Sequence, residues 1–543
     1  MYRQILDPLA HSLGLSSLVA ALPLAMLFVM LGVLRLRAWM ASLISLAIAI
    51  AIAVVVYHMP IGQALLAGGE GAVFGFFPIL WIVINAIWVY QMTVQTGHFD
   101  VLRRSFASIS DDHRIQAIII AFSFGALLEA LAGFGAPVAV TSVMLLALGF
   151  RPLKAAVLAL VANTAPVAYG AMATPIIVLG KVSGLSSDTL GAMVGRQTPI
   201  LAVFVPLALV AIVNGRNGIR ETWPVALTAG VVFGIGQFAT SNFVSVPLAD
   251  VVASLLSAGA VVLLLRVKRR QTAPRTPVVA GGAADSMTPE FTARLRPEAR
   301  AEVVRAYAPY AIIIAIFVFC QIPIVKQYLD FATYTVHWPG LHLLTATGSP
   351  SRLPTFTFNL LTTPGTQMLV AGIIAMVVLH LSGVGAIKAY GATLYQLRWA
   401  ILTVMAVLAL AFVMNASGQT ITLGTWMAGA GGAFALFSPI LGWLGVAVTG
   451  SDTSSNSLFG ALQVTAAAKA GLSPVLMAAG NSSGGVLGKM ISPQNLAIAA
   501  AAVDVHGKEG DIFRRVVLWS VVFLASICVL SGLQASVLSW MMF

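Results

Sequence analysis

The amino-acid sequence predicts an all-α polytopic membrane protein with about 12 transmembrane helices plus two re-entrant helical hairpins. These form two inverted-topology repeats, each containing a broken helix. Three observations carry this reading. Of 543 residues 9% are charged and 59% hydrophobic, at a mean hydropathy of +0.95. Soluble chains are about a quarter charged, and no soluble fold of this length could cover its surface with so few charges. The basic residues gather in alternate loops, and one pattern of Asn, Gly, Met and Pro occurs twice. The same composition excludes disorder and collagen. Cys320 and Cys528, both inside apolar runs, exclude a disulfide framework and a thiolate metal site.

A spanning helix needs about 20 mostly apolar residues. The uninterrupted candidates are 16–34, 38–57, 74–92, 190–213, 223–240, 245–265, 307–325, 366–381, 400–416 and 516–538. Segments 154–180 and 470–496 are long enough to span but are interrupted by Gly, Pro, Ser and Asn, so each reads as a broken helix. Stretches 115–148 and 432–466 each carry a polar, Gly-containing break midway, which suits a hairpin better than one span. Residues 1–17 lack the apolar core and cleavage site of a signal peptide and read as an uncleaved lead into the first span. The expected order is an N-terminal span (1–37), repeat 1 (38–215), additional spans (216–265) and a linker (266–305). An additional span with an extracytoplasmic loop (306–365) and repeat 2 (366–543) follow.

The net charge of +12 raises the question of nucleic acid, and the position of the charges answers it. Arg35 and Arg37, Arg103, Arg104 and Arg114, Arg216 and Arg220, Lys388 and Arg398, and Lys508, Arg514 and Arg515 all follow or precede spans on one side. The stretch 266–305 adds nine more basic residues and is rich in Pro, Ala and Gly, as a flexible linker would be. With two hairpins, all of them fall on one face, which is therefore cytoplasmic. The other face has little besides Arg3, Lys181, Lys326 and Arg352. Both termini are expected outside the cytoplasm. The charge is a topology signal, and a nucleic-acid partner is excluded.

The repeat is visible as NTAPVAYGAMATP (163–175) and NSSGGVLGKMISP (481–493), with Asn, Thr/Ser, Gly, Met and Pro at identical spacing. Upstream lie GFGAP (133–137) and GSDTS (450–454), each at a hairpin break, so the two offsets are 317 and 318 residues. An odd number of crossings separates the copies, so they are inverted and their hairpins enter from opposite faces. Inverted repeats with broken helices characterise secondary transporters, whose sites lie near the midplane. Unwound backbone persists there only where protein buries it or it lines a polar cavity.

The segments GFGAPVAVTSVMLLALGFRPLKAAVLALVANTAPVAYGAMATP and TGSDTSSNSLFGALQV, with GNSSGGVLGKMISPQNLAIA after them, resemble the bacterial lactate permease family over nearly the whole chain. The resemblance implies uptake of lactate, and often glycolate, by proton symport across the bacterial inner membrane. It also implies an elevator-type motion, as in the wider ion transporter superfamily. Ala162-Asn163-Thr164 and Gly480-Asn481-Ser482 depart from the usual Ser-Asn-Thr tip.

Asn163, Thr164, Asn481, Ser482 and Ser483 are expected at breaks within apolar helices. There, half-helix N–H groups with short hydroxyls and amides would bind a carboxylate. The bland alternative is that they cap breaks or join neighbouring helices. Glu129, one turn before Gly133, and Asp452, at the second hairpin tip, are the candidate proton carriers. Burial favours the neutral form of a carboxyl, and a proton there removes repulsion against an anion. Their alternatives are a buried pair with a basic residue for Glu129 and, for Asp452, a helix cap among Ser451, Thr453, Ser454 and Ser455. Ser454 also counts among the substrate-binding candidates. Lys489 would draw the carboxylate inward or neutralise Asp452, or else snorkel to the cytoplasmic edge. Tyr169 and Gln494 are candidate partners for the lactate hydroxyl, and Arg196 reads as structural.

No cofactor is expected. The coupling ion is a proton, with sodium left open because hydroxyls, amides and carbonyls suit it. The expected partners are lactate, glycolate and the lipid bilayer, with a homodimer open. A sodium-coupled carboxylate or dicarboxylate transporter is the first rival, although a dicarboxylate would demand more fixed cation than Lys489 and Arg196 supply. An intramembrane hydrolase built on Ser482 and His506 is a remote second, because His506 falls in a charged loop. A channel is the third.

Overall fold

In a computed structural model, residues 1–107, 109–110, 112–133, 135–269, 300–351, 353–505 and 508–542 are described. Phe134, most of the expected 266–305 linker, Arg352 and His506 lie outside the described residues.

Among the described residues ten helices are long and apolar enough to cross a bilayer. An eleventh arises if the pair Pro152–Ala162 and Val167–Ser183, bent by 67°, counts as one span. The longest helix, Thr198–Phe243, folds back on itself. Asn214 (φ −142°) and Gly215 (φ 59°, ψ −147°) leave helical geometry midway. A Cβ on Gly230 would lie 2.5 Å from the Val203 carbonyl oxygen, and one on Gly234 would lie 3.0 Å from that of Pro199. Backbones in that register are antiparallel, so the run contains two crossings, as the separate candidates 190–213 and 223–240 require. The first of these begins later than expected, because Ser187–Val194 forms its own short helix.

Two spans are longer than their sequence candidates. The helix expected from residue 74 is the second half of a 35-residue run, Ile61–Gln95, interrupted at Phe77 (φ −126°, ψ 123°). The candidate 400–416 is the last part of Gly383–Ser417. In both, Gln, Glu or Arg residues interrupt the apolar run, and helical hydrogen bonding continues through them. The helix in 366–381 covers only Pro364–Val378.

A departure from all-α structure occurs between residues 333 and 359. Thr333–His337 pairs antiparallel with Thr355–Asn359, and Tyr2–Arg3 pairs parallel with Leu343–Leu344. The sequences TYTVH and TFTFN are mostly β-branched and aromatic, which suits an extended ladder.

Side-chain donors tie distant segments together. Arg3 reaches the Ala346 carbonyl, Gln63 that of Gly340, Lys181 that of Thr355, and Arg196 that of Met541. Arg114 pairs with Asp112 and Glu221, and Lys154 donates to the Val213 carbonyl. One large apolar core surrounds the segments from 115 to 265 and from 476 to 527. A separate one joins the N-terminal helices to Gly383–Ser417.

Candidate functional site

Both predicted hairpin regions are antiparallel helix pairs with tight turns. The first joins His113–Leu131 to Ala136–Ala147 through Gly133 (φ 52°) and Gly135 (φ 82°). The second joins Phe434–Thr449 to Asp452–Ala470 through Gly450 (φ 75°). Only glycine adopts these left-handed angles without a Cβ clash. The two turns approach each other around a small cavity of about 60 Å³, lined by Glu129, Thr174, Asp452, Lys489, Gln494 and Asn495 among others.

Glu129 and Lys489 form the centre of its charge. Lys489 Nζ donates to Glu129 Oε1 at 2.6 Å, and Asn163 Nδ2 donates to Oε2 at 2.9 Å. Glu129 is 3% exposed and Lys489 5%. A buried ammonium and carboxylate each lose several kcal/mol of hydration, and removing one partner costs about 3–5 kcal/mol because the other charge is left alone. Glu129 and Lys489 thus form a buried ion pair. Lys489 does not snorkel, because its ammonium is directed inward onto Glu129. It pairs with Glu129 rather than with Asp452.

The backbone beside this pair is strained. Residues Asn163–Tyr169 interrupt the first broken helix, and Ala171, Met172 and Ala173 then follow with φ of 44°, 57° and 60°. Left-handed geometry costs an L-residue roughly 1–2 kcal/mol, and strain of this kind persists where surrounding structure enforces it, commonly at binding sites. Gly170 stands where a Cβ would lie 2.7 Å from Glu129 Oε1.

Asp452 opens the helix Asp452–Ala470, but the cap is Ser451, whose Oγ accepts from the Ser454 amide at 3.3 Å. Asp452 Oδ2 instead accepts from Ser482 Oγ at 2.6 Å and Asn456 Nδ2 at 3.3 Å, while Oδ1 has no partner. The network continues away from the cavity: Asn481 Nδ2 donates to Asn456 Oδ1 at 2.9 Å, and Gln463 Nε2 to Asn481 Oδ1 at 3.0 Å.

The expected site residues thus divide by position. Glu129, Asp452, Lys489 and Gln494 line the cavity. Asn163 and Ser482 stand one hydrogen bond behind it, and Asn481 two. Asn481, Ser482 and Ser483 do not lie at a break. They are within the unbroken helix Pro474–Gly488, which is interrupted only at Lys489–Ser492. Ser483 donates to Gln197 Oε1 at 2.7 Å. Thr164 bonds back to the Val161 carbonyl, and Tyr169 to that of Gly191 at 2.7 Å. Ser454 is buried outside the cavity lining. Thr164, Tyr169 and Ser483 are thereby committed to their own helices or neighbours. Arg196 donates to the Met541 carbonyl and Asn242, in keeping with a structural role.

Thr174 and Asn495 line the cavity and escaped the sequence reading. The repeat signalled Thr174, which precedes Pro175 as Ser492 precedes Pro493, whereas Asn495 lies beyond the repeated pattern. Asn456 was likewise legible as one polar turn beyond Asp452. Glu70 and Asp250, each 0% exposed, were also passed over. Glu70 preceded the expected span at 74, and Asp250 stood near the start of the span 245–265.

The model of the L-lactate permease family matches residues 16–538. The chain is 42% identical to the glycolate permease GlcA of Escherichia coli K12, over 98% of this chain and 97% of that protein. It is 43% identical to the L-lactate permease of Salmonella typhimurium LT2, over 100% and 99%. With the L-lactate permease of Bacillus subtilis 168 it shares 40% identity over 99% of each. Among solved structures, Neisseria gonorrhoeae MtrF aligns at a TM-score of 0.45 and 13% identity, over 86% of this chain and 83% of that one. With its apolar spans and full-length match, the chain is a multi-pass membrane protein and belongs to the L-lactate permease family.

Proposed function

We propose that the protein imports lactate (L- and/or D-) and glycolate by proton symport across the bacterial inner membrane. The single observation that carries this is the Lys489–Glu129 pair. Lys489 is the only basic side chain in the cavity lining among the described residues, and Glu129 occupies it. An entering monocarboxylate must displace Glu129 to reach the ammonium. Glu129, then buried without a cation, is far more stable with a proton. Substrate and proton therefore enter together, and neither is stable alone in the site. Asp452, with one oxygen unpartnered, is the second candidate for a proton.

One cation matches one carboxylate, which favours a monocarboxylate over a dicarboxylate. The relatives named for glycolate and lactate share a 2-hydroxy acid as cargo, and Thr174, Gln494 and Asn495 offer that hydroxyl its partners. In this reading the hairpins and broken helices move as one unit against a scaffold of N-terminal helices. The basic end faces the cytoplasm, with both termini and the 333–359 strands outside.

Purified protein in liposomes tests the proposal by lactate uptake under an imposed pH gradient and, separately, a sodium gradient. Accumulation driven by pH alone is expected. Accumulation that follows sodium and ignores pH would replace it with the sodium-coupled reading.

A further inference from the structure

We propose that Val167, Ala171 and Pro175 form an apolar subsite for the carbon-2 substituent of the cargo, which admits a hydrogen or a methyl group and nothing larger. The inference rests on the 2-hydroxy-acid reading above. Among the described residues these three supply the apolar side chains of the cavity lining, and all come from the first broken helix. Apart from Glu129 and Thr174, the polar side chains of the lining come from residues 451–495. The repeated pattern makes the same division at a single position. NTAPVAYGAMATP has Ala171 where NSSGGVLGKMISP has Lys489, and both residues line the cavity. One copy brings a cation to the site where the other brings a methyl group.

Glu129 joins the cation to this wall. Lys489 Nζ donates to Glu129 Oε1 at 2.6 Å, and a Cβ on Gly170 would stand 2.7 Å from the same oxygen. A substrate carboxylate that takes the ammonium from Glu129 therefore lies against Gly170 in its turn. Its carbon-2 is then beside the neighbours of Gly170, which are Ala171 next in the chain and Val167 one turn earlier. The hydroxyl on that carbon has Thr174, Gln494 and Asn495 for partners. The remaining substituent falls to the apolar side chains.

The wall has little room to retreat. Val167 is buried and β-branched, so its side chain is stiff. Its turn ends at Tyr169, whose hydroxyl donates to the Gly191 carbonyl at 2.7 Å. Thr174 Oγ1 donates to the Ala171 carbonyl at 2.6 Å, and Asn456 Nδ2 to that of Pro175 at 3.2 Å. Behind Ala171 stands the first hairpin turn, where a Cβ on Gly133 would meet the Ala171 Cβ at 3.3 Å. The cavity of about 60 Å³ holds about four to six water-sized groups, at about 10–15 Å³ each. Lactate reaches the top of that range, and 2-hydroxybutyrate, one carbon longer, exceeds it.

The test is exchange of labelled glycolate in liposomes, competed by unlabelled glycolate, lactate and 2-hydroxybutyrate. One methylene more or less in an apolar pocket changes discrimination by about 10–200-fold. Wild type should therefore accept 2-hydroxybutyrate about tenfold or more weakly than lactate. Val167→Ala removes the branched methyl groups and should close that gap. Val167→Ile should do the opposite and weaken lactate about tenfold against glycolate. Ala171→Gly, which suits the left-handed backbone at that position, carries the same expectation as Val167→Ala should that variant not fold. A wild type that accepts 2-hydroxybutyrate as readily as lactate would overturn the inference. So would variants that leave the gap unchanged or shift all three competitors alike. A wild type that takes up neither glycolate nor lactate would fail the transport reading itself, a separate outcome.

Discussion

The two broken helices are copies of one sequence pattern and yet break in different places. The first unwinds directly after Pro152–Ala162, at Asn163, and does not recover regular geometry until after Ala173. The second runs through Asn481, Ser482 and Ser483 without interruption and gives way only at Lys489. The reason is one aligned position. NTAP has Pro166 where NSSG has Gly484. A proline inside a helix removes a hydrogen bond and clashes with the preceding turn. Glycine keeps the hydrogen bond, and Gly484 is packed against the Pro439 carbonyl so closely that no Cβ fits. The first copy therefore supplies irregular backbone around Glu129. The second supplies a rigid helix that carries Ser482 to Asp452 and ends on Lys489.

The largest expected effect comes from breaking the link between the copies. Lys489→Ala leaves Glu129 buried and unpaired, which should destabilise the protein by about 3–5 kcal/mol and abolish uptake. The double variant with Glu129→Gln should recover most of the thermal stability but no transport. A double variant as unstable as K489A would mean the pair is not what holds the site. Next, Glu129→Gln and Asp452→Asn should each lose proton-driven accumulation more than lactate exchange, measured in the same liposomes. Wild-type accumulation by both would remove them from coupling.

Gly484→Ala tests the rigid copy. Its Cβ meets the Pro439 carbonyl, and overpacking of this kind costs about 1–3 kcal/mol, which a melting curve in detergent would register. Asn481→Ala comes next. It strips partners from Asn456 and Gln463 at about 1–3 kcal/mol, but Asn481 stands two hydrogen bonds from the cavity. Lactate affinity should fall less than in Asn163→Ala, whose amide touches Glu129, and the reverse order in binding titrations would put Asn481 in the site. Tyr169→Phe should show the least, about 0.5–1.5 kcal/mol for one hydrogen bond to Gly191, with affinity unchanged.

Much of this was legible from residue order. Apolar runs located the spans to within a few residues where no polar residue intervened, as at Ala38–Val55 and Val246–Val267. They failed at Ile61–Gln95, where Gln63 and Glu70 stop a hydropathy count and leave the helix intact. Glu70 was lost with that boundary. It is fully buried, with neither carboxyl oxygen partnered, so an intramembrane carboxyl was hidden by a misplaced helix start. Asn481 was misread for a different reason: spacing aligned it with Asn163, and spacing does not report whether backbone unwinds.

By itself the sequence determined the membrane class, the two hairpins, the paired Asn-bearing segments and the short roster of charges worth attention. Those are local properties, set by hydropathy over about 20 residues and by where Gly and Pro fall. The tertiary structure alone decided which charge answers which. Lys489 and Glu129 are separated by 360 positions in the chain and 2.6 Å in space. Only the packing of one hairpin against the far copy's broken helix brings them together, and hydropathy carries no information about partners that distant.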